Sequence, residues 1–171
     1  MTWTLGIDCS SARMSLGLYA DRHQAGELSQ SARNTHAEQI AEGVGSLLAS
    51  GGISAADISR VGVAVGPGSF TGLRIAVSFI KGFCLTRPVR VLPVSSLRSV
   101  AVALGRADGT VAVAFDARRD EVFWARFACG ADGVRRTGED RLSPAAEFAA
   151  SMRPGELVAT DTLGNARSRV F

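Results

Sequence analysis

Short apolar runs near the start of the chain give way to longer segments whose apolar residues return every three or four positions. Trp3 to Asp8 reads as a strand, and Met14 to Ala20, which alternates in part, reads as a second. Cys9, Ser10, Ser11 and Ala12 lie between them as a hairpin turn. Gln24 to Ser31 is a weaker third strand. Asn34 or Thr35 then caps a helix that ends near Gly51-Gly52, with Ile40, Val44, Leu47 and Leu48 on one apolar stripe. Val61 to Val65 is a fourth, buried strand. Ser69 to about Thr86 is a second helix and Val89 to Val94 a fifth strand. Ser95 or Ser96 begins a third helix that ends near Gly105.

The second helix carries more apolar surface than one packing face requires. Wound at about 100° per residue, Leu73, Ala76, Val77, Ile80 and Cys84 form one stripe. Ile75, Phe79 and Phe83 form another beside it. A helix packed on one side needs a stripe only a little over about 100° wide. Two explanations stand: the helix is enclosed by its own domain, or one stripe faces the sheet while the other meets another protein.

Arg106-Ala107-Asp108-Gly109 reads as a junction, which divides the chain into residues 1–106 and 107–171. A second hairpin follows, Val111 to Asp116 and Glu121 to Phe127. Pro144 opens a short helix, and Leu157 to Thr160 reads as another strand. The pattern alone establishes an α/β protein with a mixed sheet.

Composition narrows the class. At 171 residues the chain can bury one good core or two small ones, and its 46% hydrophobic content suits a globular protein. No run of about 18 apolar residues is present, so no membrane span is expected. The formal charge is +3, spread thinly and making no stripe of the kind that binds nucleic acid. Arg118-Arg119 and Arg135-Arg136 are isolated pairs close to carboxylates. Cys9, Cys84 and Cys129 are odd in number and far apart, which suggests neither a disulfide frame nor a zinc site. A reducing cytoplasm is the expected setting.

The most informative stretch is Gly66-Pro67-Gly68-Ser69-Phe70-Thr71-Gly72-Leu73-Arg74, where a strand hands over to a helix. Backbone N–H groups are free at such a place and can receive an anion or a partner. A Walker-type phosphate loop needs a lysine after its last glycine, and Leu73 stands there. A dinucleotide fingerprint needs a glycine where Thr71 stands. The remaining readings are an anion site and a structural turn, in which the glycines permit unusual angles and Ser69 or Thr71 caps the helix.

Together with its surroundings, this stretch resembles the TsaB (YeaZ) family of bacterial tRNA-modification proteins. Leu5-Gly6-Ile7-Asp8-Cys9-Ser10-Ser11 is similar to the family's opening strand and turn, and Thr35-His36-Ala37-Glu38 to the start of its first helix. Val94-Ser95-Ser96-Leu97 and Asp116-Ala117-Arg118-Arg119-Asp120-Glu121-Val122 also match in kind and order. The likeness runs from about Thr4 to about Phe127, and the glycine-containing motif is specific for this family and its catalytic relative TsaD. The resemblance implies an actin-like (ribonuclease H-like) α/β fold with a mixed sheet. Its βββαβα half is repeated, the second half here being incomplete because family members usually continue beyond Phe171.

The resemblance also brings candidate chemistry. In actin-like ATPases, aspartates in the places of Asp8 and Asp116 help to hold hydrated magnesium, and the turns beside them, here including Ser10, cradle phosphates. Ala117-Arg118-Arg119-Asp120 has no glycine to let the backbone close on a phosphate. Ala159 to Asn165 lacks the paired glycines expected around an adenosine. These positions therefore read as a degenerate nucleotide site. TsaD-like proteins carry two metal-binding histidines four residues apart, whereas His36 is followed at that spacing by Ile40. His36 reads as a helix-start hydrogen-bonding residue, and His23 lies in a loop without an identifiable partner. No nucleophile, base and orienting residue can be assigned together, which leaves a peptidase reading unsupported.

The resulting expectation is a non-catalytic scaffold without metal or cofactor. It would assist a TsaD-like enzyme, helped by a TsaE-like ATPase, in forming threonylcarbamoyladenosine at tRNA adenosine 37. It would touch tRNA only indirectly and pair with itself when alone. Ile40, Val44, Leu47, Ile75, Phe79 and Phe83 are the expected pairing residues, after the family's use of its first two helices. The competing expectation is a nucleotide-dependent kinase or carbamoyl transferase of the same superfamily.

Overall fold

The structure is a computed structural model that describes residues 1–31, 36–104 and 108–160, with backbone only at 36–38. The Asn34 or Thr35 cap, the side chain of His36, the Gly105 helix end, the Arg106-Ala107 part of the junction and residues 161–165 of the adenosine region lie outside the described residues. The chain divides into two compact units, Met1–Val94 and Ser95–Phe171.

In the first unit, β1 (Trp3–Asp8), β2 (Arg13–Ala20) and β3 (His23–Ser31) form an antiparallel meander. β4 (Ile58–Ala64) joins β1 in parallel, and β5 (Arg90–Val94) joins β4 in parallel, giving the order β3-β2-β1-β4-β5. Between the meander and β4 lies α1 (His36–Ser50); between β4 and β5 lies α2 (Phe70–Cys84). The alternation of β1 and β2 puts Leu5 opposite Leu18 and Ile7 opposite Leu16, all buried. The helices close this face with Ile40, Val44, Leu47, Ala76 and Ile80, which pack into the same core. β4 begins three residues before the expected Val61, because a 3-10 turn at Ala55–Asp57 delivers Ile58 directly into the sheet. That turn is held by a reciprocal capping box between Ser54 and Asp57.

The second unit opens with α3 (Ser96–Ala103), followed by the long hairpin β6 (Gly109–Arg118) and β7 (Glu121–Gly130). Two short strands pair with β7: β8 (Gly133–Arg136) along its end and β9 (Arg141–Pro144) along its start. α4 (Ala145–Ala150) leads to β10 (Leu157–Thr160), parallel to β6. The hairpin is apolar on both faces. Val111, Val113, Phe115, Ala125 and Phe127 pack on Leu97 and Ala101 of α3. On the opposite face Ala112, Ala114 and Trp124 pack on Phe148 of α4. The sequence reading placed α3 in the first part of the chain; its buried residues join the core of the second unit, and the division falls after Val94 rather than after residue 106.

Arg126 ties this unit together. Its guanidinium donates from Nε to Glu156 at 2.8 Å and from Nη2 to the Ser151 carbonyl at 2.6 Å, which fixes the segment after α4 against β7. The side chains are only 13% and 1% exposed, so the two charges are withdrawn from water and satisfied by each other.

Candidate functional site

The glycine-rich stretch folds back on the first hairpin turn. Gly66-Pro67 is a cis bond, and Gly68 has φ 148°. A β-carbon on Gly68 would collide with the Ser10 carbonyl, and one on Gly72 with the Cys9 carbonyl, both well inside contact distance. Only glycine lets the two backbones lie this close. Ser69 N–H donates to the Ser10 carbonyl at 2.6 Å. The Ser69 hydroxyl accepts from Gly72 N–H at 3.2 Å and so caps α2. Of the two capping candidates, Ser69 is the cap; Thr71 lies in the first turn, exposed. The donors that made this helix start an anion candidate are thus spent partly on the chain itself.

Asp8 and Asp116 occupy equivalent places in the two hairpins. Asp8 Oδ1 accepts from Ser10 N–H at 2.8 Å, and Asp116 Oδ1 accepts from Arg118 N–H at 2.7 Å. Each carboxylate shapes the turn two residues ahead. The second turn differs from expectation in one respect. Without any glycine it still takes the left-handed backbone, with φ 68° at Arg118, 55° at Arg119 and 62° at Asp120. Each such residue costs roughly 1–2 kcal/mol. The Asp116 bond and a 2.7 Å bond from Ala145 N–H to the Asp120 carbonyl hold the turn in place. The turn is thus left-handed without any glycine.

Cys9 and Ser10 are both buried beneath the glycine-rich loop. Burial pushes the Cys9 thiol up to about 12, and the neighbouring Asp8 charge adds to the effect. It is a packed side chain, not a thiolate nucleophile. Among the described residues, no three His, Cys, Asp or Glu side chains converge to hold a metal ion, and no helix is long and apolar enough to cross a membrane.

The surface of α2 is the second feature. Its inner stripe, Ala76 and Ile80, is buried in the sheet core. Ile75, Phe79 and Phe83 are half-buried beside it, with the Phe79 and Phe83 rings 5.8 Å apart. Thr71, Arg74, Ile75, Ser78 and Phe79 line an open groove of about 320 Å³. Phe70 at the start of the helix is 73% exposed, and the Arg74 guanidinium lies 5.3 Å from its ring. Ile40, Val44 and Leu47, expected on the same surface, are buried in the core. Their stripe is the inner face of α1, and its outer face is small and polar instead: Ala41, Glu42, Gly45, Ser46 and Ala49 are exposed. The α1 part of the expected pairing set is corrected accordingly. Phe70 entered the sequence reading only as part of the turn motif; its place on the outer surface was missed.

Residues 22–166 match the family model described as TsaD, tRNA N6-adenosine threonylcarbamoyltransferase. An uncharacterized protein of Mycobacterium tuberculosis is 34% identical over 158 residues, which cover 91% of this chain and 69% of that protein. The tRNA threonylcarbamoyladenosine biosynthesis protein TsaB of Escherichia coli is 32% identical over 132 residues, 76% of this chain and 57% of its own length. The chain thus spans little more than half of that relative. YeaZ from Pseudomonas aeruginosa superposes with a TM-score of 0.82 at 25% identity, covering 93% of this chain and 84% of that one. A 2-hydroxyglutaryl-CoA dehydratase component A from Acidaminococcus fermentans, at 12% identity and TM-score 0.53, shares the fold alone. The fold is actin-like, and the chain belongs to the TsaB (YeaZ) family.

Proposed function

We propose that this chain is a non-catalytic accessory protein of tRNA threonylcarbamoyladenosine biosynthesis, acting in the cytoplasm by pairing with a TsaD-like enzyme. The observation that carries the reading is the seating of Gly68 and Gly72 on the Cys9-Ser10 backbone. In an actin-like ATPase the first hairpin turn receives phosphate; here the chain's own loop rests on the first residues of that turn, with Ser69 N–H on the Ser10 carbonyl. That tie supports a structural use of the turn.

The outer face of α2 supplies the other half of the proposal. Half-buried Ile75, Phe79 and Phe83, together with exposed Phe70, give an aromatic surface on a helix already anchored on its inner side. Aromatic residues and arginine are the side chains that contribute most at protein interfaces. The protein would pair through this face with itself when alone and with the TsaD-like enzyme during modification. A TsaE-like ATPase would complete the assembly, and tRNA would be held by the partners. Reconstitution tests this directly. Purified TsaD-like and TsaE-like proteins should modify tRNA only when this chain is added, and full-rate modification without it would end the proposal. The rival reading, a nucleotide-dependent kinase or transferase, requires magnesium-ATP to bind the isolated protein at micromolar concentration.

A further inference from the structure

We infer that Arg118 and Arg119, at the tip of the β6–β7 hairpin, are a contact for carboxylates on the enzyme partner, carried by the second unit rather than by α2. This rests on the accessory reading above and adds a further surface with its chemistry.

The backbone of the turn motivates the inference. At positive φ a β-carbon crowds its own chain, so such positions fall to glycine, or to asparagine and aspartate. Among the described residues φ is otherwise positive only at six glycines, Asp21 and Asp120. Arg118 and Arg119, at 68° and 55°, are the two departures from that rule. A two-residue hairpin loop with both φ values positive ordinarily takes Asn-Gly or Asp-Gly, and Arg119-Asp120 stands here instead. Glycine would be easier at both arginine positions. What the strained turn retains is therefore their side chains, and retained strain is the mark of a functional position.

Those side chains do nothing for the fold. Both arginines are exposed. Among the described residues neither guanidinium takes an ion pair, a hydrogen bond or a ring contact. An exposed arginine without a partner is ordinary; two of them held in a strained turn are not explained by folding. Asp116, Asp120 and Glu121 flank the pair in sequence. Their charge opposes a polyanionic strand such as RNA, which also needs a longer run of cations. A protein surface presents carboxylates singly, and the guanidinium fork holds each through two parallel hydrogen bonds.

Two double variants of the full chain test this, by urea unfolding and by titration with the TsaD-like enzyme. Arg118→Gly/Arg119→Gly removes charge and strain together. Its urea midpoint should rise while the complex weakens by about tenfold or more, the scale of lost hydrogen bonds between charged groups. Arg118→Gln/Arg119→Gln keeps the β-carbons, so its midpoint should match the wild type while its affinity falls as far. A glycine variant no more stable than the wild type, or a glutamine variant that binds the enzyme like the wild type, would overturn the inference. So would variants that lose binding to a tRNA anticodon-stem oligonucleotide while holding the enzyme normally, since the partner would then be RNA. A wild type that forms no complex with the enzyme would end the accessory reading along with this contact.

Discussion

Ser69 N–H lies 2.6 Å from the Ser10 carbonyl, which joins the start of α2 to the first hairpin turn across 59 residues of sequence. The bond depends on glycine at 68 and 72, since a side chain at either would push the two backbones apart. Gly72→Ala should therefore destabilise the protein by roughly 1–3 kcal/mol, the usual cost of overpacking a closed contact. Urea unfolding measures it. Wild-type stability in Gly72→Ala would mean that the loop does not rest on the turn.

Asp116→Asn should leave tRNA modification nearly unchanged. The asparagine oxygen can still accept from Arg118 N–H, now 2.7 Å from the carboxylate. A magnesium site would need the lost charge. Complementation of a strain depleted of the natural protein, with protein levels matched, decides; a large loss of modified tRNA points to the kinase or transferase reading.

Arg126→Ala should cost about 3–5 kcal/mol, because it strands the Glu156 carboxylate, 1% exposed, without its partner. Replacing both, as Arg126→Met with Glu156→Leu, should cost much less. The Arg126 guanidinium lies 4.8 Å from the Trp124 ring, so indole fluorescence reports both folding and the local change. Equal losses in the single and double variants would count against a buried ion pair.

Alkaline stability should fall because of Cys9. Its thiol is held up to about 12 against an ordinary 9.0, so the folded state keeps the proton after the unfolded chain releases it. The contribution is intact below pH 9 and is lost progressively as pH rises toward 12, at up to about 1.4 kcal/mol per pH unit. Cys9→Ala should flatten that part of the stability profile. An unchanged slope would show that other groups set it.

Phe70→Ser should weaken self-association without affecting folding, since the ring is 73% exposed and outside the core. Sedimentation and thermal melting read the two effects separately. Val44→Glu is expected to behave differently: Val44 is buried, so a carboxylate there should unfold the chain. Native melting of Val44→Glu would contradict its placement.

The sequence made the first unit legible because each of its elements has a local signal. Leu5, Ile7, Leu16 and Leu18 alternate, and Ser69 stands where a cap is needed. β8 and β9 were not legible. Their four residues each include arginine, and they become strands only by pairing with β7. The width of the α2 stripe left open what its second side meets, and the α1 stripe carried no mark of which neighbour it faced. Ile40, Val44 and Leu47 would look the same against a sheet or a partner. The Arg126–Glu156 pair, 30 residues apart, has no sequence signature at all. The role of Gly72 was hidden for a related reason, since a close approach depends on what the fold brings opposite it.

The loop over Ser10 has a consequence best expressed as a competition. Ser69 is tethered to the turn it covers, so it meets Ser10 at the effective concentration of an intramolecular ligand, of millimolar order or higher. Another donor, water included, would have to displace it to reach the Ser10 carbonyl. Weakening the tether would then first give the Ser10 carbonyl to water and loosen the start of α2, ahead of any loss in the sheet beneath it.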